Sequence, residues 1–416
     1  MLLILIGMIC MIKRESYFEI IDDFIDTDFI KIFTGIRRSG KTTLLYSIID
    51  ELKKRKVPES NIIFISFESE KYQDIYSYKE LNDVIHSMVY GIEGKIYLFF
   101  DEIQEVENWE KSVNSFRVDY NCDIYVTGSN SKLLLSDYST LLAGRFIQIT
   151  VYPFSFKEFL KYNEEINDIE PSKENIKDLF QEYVIYGGMP GLLTINNKYN
   201  KKLALSDIYS TIILNDVMNR HPIRKPKVFK KFAWYIISTP GETFSADSIV
   251  GTLKNFVQKT SRDTITNYME YLEEAFFIYK IKREDLIGKK IFEIYDKYYI
   301  VDQGFHQAII GNNMAKISHI LENIVFLELL RRGYHINVGF VKNKEVDFVC
   351  ERDGKRIYIQ VSYLLASPET IEREFKPLLE IPDKYDSYVL SMDEFDMSQY
   401  GIKHKNIIEF LLDDEI

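Results

Sequence analysis

Cysteine is scarce: Cys10, Cys122 and Cys350 are the three in 416 residues, far apart, with no CxxC spacing and no histidine beside them. That usage excludes a disulfide framework and a zinc ribbon, and fits a reducing compartment such as the cytoplasm. Excess positive charge is also absent. Against 52 Lys and Arg stand 63 Asp and Glu, a formal charge of −11, so the chain is no histone-like coat for nucleic acid, although a local basic patch stays open. No apolar run reaches the roughly 20 residues that a bilayer-spanning helix needs. The nearest, Met1 to Ile12 followed by Lys13 and Arg14, lacks the leading charge and small-residue cleavage site of a secretory signal. It reads as a buried strand or as translated upstream sequence; the second is favoured, because an amphipathic stretch begins at Met11. The expectation is a soluble, cytoplasmic protein with no membrane partner. Internal repeats and low-complexity linkers are missing too.

What remains is ordinary globular sequence, 46% hydrophobic and 28% charged, which excludes global disorder. At roughly 150 residues per domain, the length predicts two to three domains. After the apolar leader (1–12), residues 13–153 hold five short apolar runs separated by helical segments, beginning at Phe29, Asn61, Lys95, Cys122 and Arg145. Such runs predict a parallel sheet covered on both faces, an α/β domain. Residues 154–224 read as a helical extension broken by the turn cluster Tyr186–Gly191. Residues 225–300 read as short helices and a β pair, a winged helix. One of those helices follows Ser261, a plausible N-cap, with apolar positions Ile265, Tyr268, Met269, Leu272 and Phe276. Residues 301–416 read as a mixed α/β unit.

Gly35-Ile36-Arg37-Arg38-Ser39-Gly40-Lys41-Thr42 fits GxxxxGK[ST] without a gap, directly after the first strand and before a helix that begins with Thr42 and Thr43. Glycines let backbone amides close around phosphates, and the helix N-terminus adds its positive dipole end. Lys41 then places charge on the β and γ phosphates of ATP, and Thr42 offers a hydroxyl to Mg²⁺. The third strand ends in Asp101 and Glu102, read as a metal-holding acid and a general base. Ser129 and Asn130, ending the next strand, read as a γ-phosphate sensor or as a turn cap. Arg145 reads as a transition-state cation, in cis or in a neighbouring subunit, or as a solvated side chain. Arg37 and Arg38 face phosphate, partner or solvent.

Taken together, GIRRSGKT, FFDEIQ, YVTGSNS, LAGRF, YGGMPG and the late EVDFV…YIQV resemble a family of prokaryotic AAA-type ATPases with a C-terminal domain of unknown function. The resemblance runs from Met11 over nearly the whole chain. It implies an ATP-binding protein with a winged-helix segment and a restriction-nuclease-like C-terminal fold, and it implies no known physiological reaction.

Between Val217 and Arg262 stand nine cations and two acids, Glu242 and Asp247. This patch suits DNA, with the helix after Ser261 as major-groove reader, but it also suits an unidentified protein partner or plain solvation. Further on, Glu322, Asp347 and Gln360-Val-Ser362 resemble a nuclease signature in which Gln360 and Ser362 replace the acid and the lysine of Glu-x-Lys. The alternative is that Glu322 and Asp347 are surface acids. The expected function is Mg²⁺-dependent ATP hydrolysis that switches the C-terminal parts. Its rivals are a DNA-binding regulator using ATP only to set its state and an ATP-gated nuclease, against which Gln360 and Ser362 argue.

Overall fold

Each apolar run of the N-terminal third folds as a strand of one parallel sheet. This computed structural model describes residues 12–129, 144–254, 260–288, 290–311, 316–414 and 416. They form two compact units, one reaching Tyr152 and including Glu274–Phe276, the other holding the rest from Pro153 onward.

The first unit runs α1 (Glu15–Phe24), β1 (Ile30–Thr34), α2 (Lys41–Lys54), β2 (Ile62–Ser66), α3 (Tyr78–Val89), β3 (Ile96–Asp101), α4 (Trp109–Asp119), β4 (Cys122–Gly128) and β5 (Phe146–Thr150). Across the sheet the order is β2-β3-β4-β1-β5, and every pair is parallel. On β3, Ile96, Leu98 and Phe100 join a core with Leu81, Ile85, Trp109 and Val113. Tyr97 and Phe99 point the other way, into a core with Phe18, Ile21, Leu44 and Ile48. A strand buried on both faces must be apolar at both alternations, and this explains the unbroken run in β3. Because β4 lies between β1 and β3, with Phe33 level with Thr127 and Phe99 level with Tyr125, the strands finish along one edge. The carboxyl edge of an open parallel sheet is where such folds bind ligands.

The second unit contains helices α5 (Phe156–Asn167), α6 (Lys173–Tyr186), α7 (Lys198–Thr211), α8 (Pro226–Ser238), α9 (Ala246–Lys254) and α10 (Arg262–Glu274). Four more follow: α11 (Gly304–Ile309), α12 (Ile317–Arg331), α13 (Pro368–Leu379) and α14 (Ile407–Leu412). Its strands are β6 (Thr243–Phe244), β7 (Ile278–Asp285), β8 (Lys290–Ile300), β9 (His335–Val341), β10 (Lys344–Arg352), β11 (Lys355–Val361), β12 (Asp386–Ser391) and β13 (Lys403–Asn406). They form one sheet in the order β13-β12-β11-β10-β9-β7-β8-β6. The antiparallel pair β7–β8 follows helices α8 to α10, and β7 also pairs in parallel with β9. The stretches on either side of residue 300 therefore share a sheet.

The turn cluster after α6 is a socket. Gly187 sits at φ +75°, and a Cβ there would stand 1.7 Å from Asp302 Oδ1. The amide of Gly188 donates to Asp302 Oδ2 at 2.7 Å. Only a glycine admits that carboxylate so close to the backbone. Among the described residues, no helix is long and apolar enough to cross a membrane.

Candidate functional site

The loop between β1 and α2 is shaped by residues with little conformational choice. Gly35 adopts φ +139°, and a Cβ on it would come within 2.3 Å of the Val151 carbonyl. Gly40, at φ +99°, forms the N-cap of α2. The Lys41 ammonium donates to the carbonyls of Gly35 (3.1 Å) and Ile36 (3.2 Å) and lies 3.7 Å from Glu102 Oε1. Thr42 Oγ1 donates to both Asp101 oxygens, at 2.9 and 3.1 Å. Thr127 Oγ1 donates to Asp101 Oδ1 at 2.7 Å and accepts from the Glu102 amide at 2.9 Å. Ser66 Oγ donates to Asp101 Oδ2 at 3.3 Å. The ends of β2, β3 and β4 thus meet the first residues of α2.

The surroundings shift the two acids in opposite directions. Burial raises the Asp101 carboxyl above its ordinary range, against the pull of the Thr127, Thr42 and Ser66 hydroxyls. Burial acts on Glu102 as well, but the Lys41 charge and side-chain hydrogen bonds from Gln104 and Ser129 outweigh it and hold Glu102 below its ordinary range. Glu102 stays ionised. Its backbone is left-handed, at φ +53°, a strained conformation for a non-glycine residue of the kind that clusters at functional sites.

A nucleoside triphosphate with magnesium fits this donor set. Thr42 and Asp101 present a hydroxyl and a carboxylate as adjacent hard oxygen donors, the combination that magnesium takes alongside phosphate oxygens and water. Lys41 holds a buried positive charge at the loop, and Ser39 is buried with a hydroxyl that has no partner among the described residues.

Other expected site residues fall differently. Ile36 is buried, Thr43 is exposed at the start of α2, and Arg38 is exposed. Arg37 pairs with Glu68 at 3.0 Å. Asn130 lies outside the described residues, and Ser129 is buried beside Glu102. Arg145 is not brought to the loop. It precedes β5, its carbonyl accepts from the Ile30 amide at the start of β1, and its guanidinium reaches Asn114 at 3.1 Å. Since β1 and β5 are parallel, Arg145 stands at the edge of the sheet opposite the loop, and strand direction excludes a cis role for it at the phosphates.

Arg14 has a part that sequence reasoning misses. Buried at the start of α1, it donates to the Ser39 carbonyl (3.2 Å) and the Tyr152 carbonyl (3.0 Å), tying the loop to the chain beyond β5. The only local signal is an arginine where a helix N-cap ordinarily carries Ser, Thr, Asp or Asn.

In the second unit, Glu322 on α12, Asp347 on β10 and Gln360 on β11 do converge, and all are buried. Three residues given no role in the sequence reading, Lys297, Glu345 and Glu374, join them. Lys297 of β8 lies 2.5 Å from Glu322, 2.8 Å from Glu345 and 3.7 Å from Asp347. The missing lysine is thus present in charge, supplied from another strand and already engaged by carboxylates. Burial opposes its charge, but the three carboxylates outweigh burial and hold the ammonium protonated. Gln360 donates to Glu374 at 3.0 Å and accepts from the Asp347 amide at 3.3 Å.

The basic stretch is also arranged differently from expectation. Helix α10 exposes Arg262, Asp263, Thr266, Asn267 and Glu270, and Arg262 faces Asp247 at 3.8 Å. Lys227, Lys230 and Lys231 stand on α8 instead.

Comparison with known proteins matches residues 27–160 to an AAA domain and residues 177–316 to a domain of unknown function, DUF8612. An uncharacterised protein of Haemophilus influenzae is 36% identical over 97% of this chain and 99% of its own. Another, of Methanocaldococcus jannaschii, is 36% identical over 83% of this chain and 77% of its own. The structure of a Walker-type ATPase of Pyrococcus abyssi superposes with a TM-score of 0.52 at 16% identity, over 72% of this chain and 96% of that one. This last likeness is one of fold.

Proposed function

This chain belongs to a family of AAA-type ATPases, and from that premise we propose that it binds ATP with magnesium at Gly35–Thr43, hydrolyses it, and thereby switches the second unit, whose partner is nucleic acid. The observation that carries the reading is the contact of Thr42 with Asp101 directly beside the contact of Lys41 with Glu102. Backbone amides of the loop and the N-terminus of α2 hold the phosphates. Lys41 turns from two carbonyls to the β and γ oxygens. Thr42 and Asp101 would hold the metal, which when bound neutralises charge on the phosphate oxygens. Glu102, kept ionised by Lys41 and oriented by Gln104, accepts a proton from the attacking water. Thr127 fixes the Asp101 side chain and the Glu102 backbone together, so both acids keep their positions through the step.

Nucleotide titration and phosphate release on two variants test this. Lys41→Ala is expected to lose nucleotide binding. Glu102→Gln is expected to keep binding and lose turnover by about 10²-fold or more, the scale of an absent general base. Normal turnover in the glutamine variant would remove Glu102 from the mechanism.

A further inference from the structure

Helix α8 separates two faces cleanly. Val228, Phe229, Phe232, Ala233, Ile236 and Ile237 are buried, while Lys227, Lys230, Lys231 and Trp234 are exposed. Spacings of three, four and seven residues put those four side chains on one stripe about 10 Å long. A solvated lysine face is ordinary; an exposed indole in line with it is not. The chain has two tryptophans. Trp109 is 2% exposed in the core of the first unit, whereas Trp234 is 51% exposed. The charge extends beyond the helix: from Pro222 to Gly241 stand Arg224, Lys225, Lys227, Lys230 and Lys231, with no acid. In a chain of net charge −11, so concentrated a positive segment is complementary to a polyanion.

We propose that the solvent face of α8 binds single-stranded DNA, with Lys227, Lys230 and Lys231 on successive phosphates and one base stacked on Trp234. This rests on the nucleic-acid partner proposed above and gives it a surface and a strand state. An indole presents a flat apolar face that a base inside a duplex cannot reach and an unpaired base can. The rival duplex reader, α10, exposes Asp263 and Glu270, and both repel a phosphate backbone. No side chain on the α8 stripe other than lysine and tryptophan is available to read a base edge, so binding is sequence-tolerant and salt-dependent.

The full-length protein carries its own probe, because Trp109 is shielded and Trp234 is not. Titration with an oligothymidylate strand should quench the tryptophan emission. Three phosphate contacts at about −0.7 each give a log–log salt slope near −2. Lys227→Glu/Lys230→Glu/Lys231→Glu should weaken binding by more than tenfold and flatten the slope. Trp234→Ala, followed by anisotropy of a labelled strand, should weaken it about tenfold at unchanged slope, the scale of one lost stack. All of these substitutions are at exposed positions, and circular dichroism verifies folding. Binding that survives the triple reversal keeps the nucleic-acid partner and overturns this face. Duplex DNA or an RNA strand binding more than tenfold tighter than the DNA strand overturns the assignment of single-stranded DNA. Absence of binding to any nucleic acid sinks both this inference and the partner on which it rests.

Discussion

Asp302 is a fully buried carboxylate whose oxygens accept amides from Gly188 (2.7 Å) and Gly304 (2.8 Å). Burial pushes its pKa up to about 6, with the two amides and Arg331 pulling the other way. The folded state therefore holds this proton more tightly than the unfolded chain does. The stability this group contributes is complete below about pH 4 and is lost as the pH rises through about 6. A shift of roughly two units corresponds to about 3 kcal/mol at most. Urea unfolding at pH 4.5 and at pH 7 is expected to show a difference in stability between the wild type and Asp302→Asn that changes by about 2 kcal/mol, the part of this amount that falls between those two pH values; a pH-independent difference would refute the assignment. At this scale the residues proposed to hold the nucleotide are legible in sequence because their spacing is local: Gly35 to Thr42 is one loop, and Asp101 and Glu102 close one strand. Arg14 and Lys297 are not, because the groups that give them meaning lie elsewhere in the chain, at Ser39 and Tyr152 for one and at Glu322, Glu345 and Asp347 for the other.

Among the elements, strands of the first unit are readable because double-sided burial forces continuous apolar runs, as in Ile96–Asp101. The sheet of the second unit is harder to read, since the parallel pairing of β7 with β9 skips over β8 and leaves no turn signal. The same pairing places β8 so that Lys297 enters the cluster of Glu322, Asp347 and Gln360. There its ammonium lies directly on Glu322 and Glu345 and near Asp347, where a metal ion would have to sit to use the same oxygens. The full chain is expected to leave plasmid, linear and single-stranded nucleic acid intact with Mg²⁺ or Mn²⁺, with or without ATP. Cleavage that disappears in Asp347→Ala would overturn this and promote the ATP-gated nuclease. Lys297→Met is expected to cost roughly 3–5 kcal/mol in the second unit, the scale for leaving buried charges without their partner, measured by chemical unfolding.

For the whole molecule, the division into two compact units turns the proposed switch into a thermodynamic statement. A ligand that binds only the folded first unit stabilises that unit by RT ln(1 + [L]/Kd), about 2.7 kcal/mol at one hundred times Kd. If nucleotide binding ended there, calorimetry would show one transition rise with ATP while the other stayed in place. A switch requires a coupling free energy between the nucleotide site and the second unit, typically about 1–3 kcal/mol. With Glu102→Gln holding ATP, both transitions should therefore move, in the same or opposite directions according to which state of the second unit ATP favours. Lys41→Ala should abolish both shifts, and Asp302→Asn identifies which transition belongs to the second unit. If the second transition stays fixed to within about 0.3 kcal/mol, below the error with which independent sites add, the ATPase and the second unit are energetically separate and the switch fails, even if hydrolysis itself is as proposed.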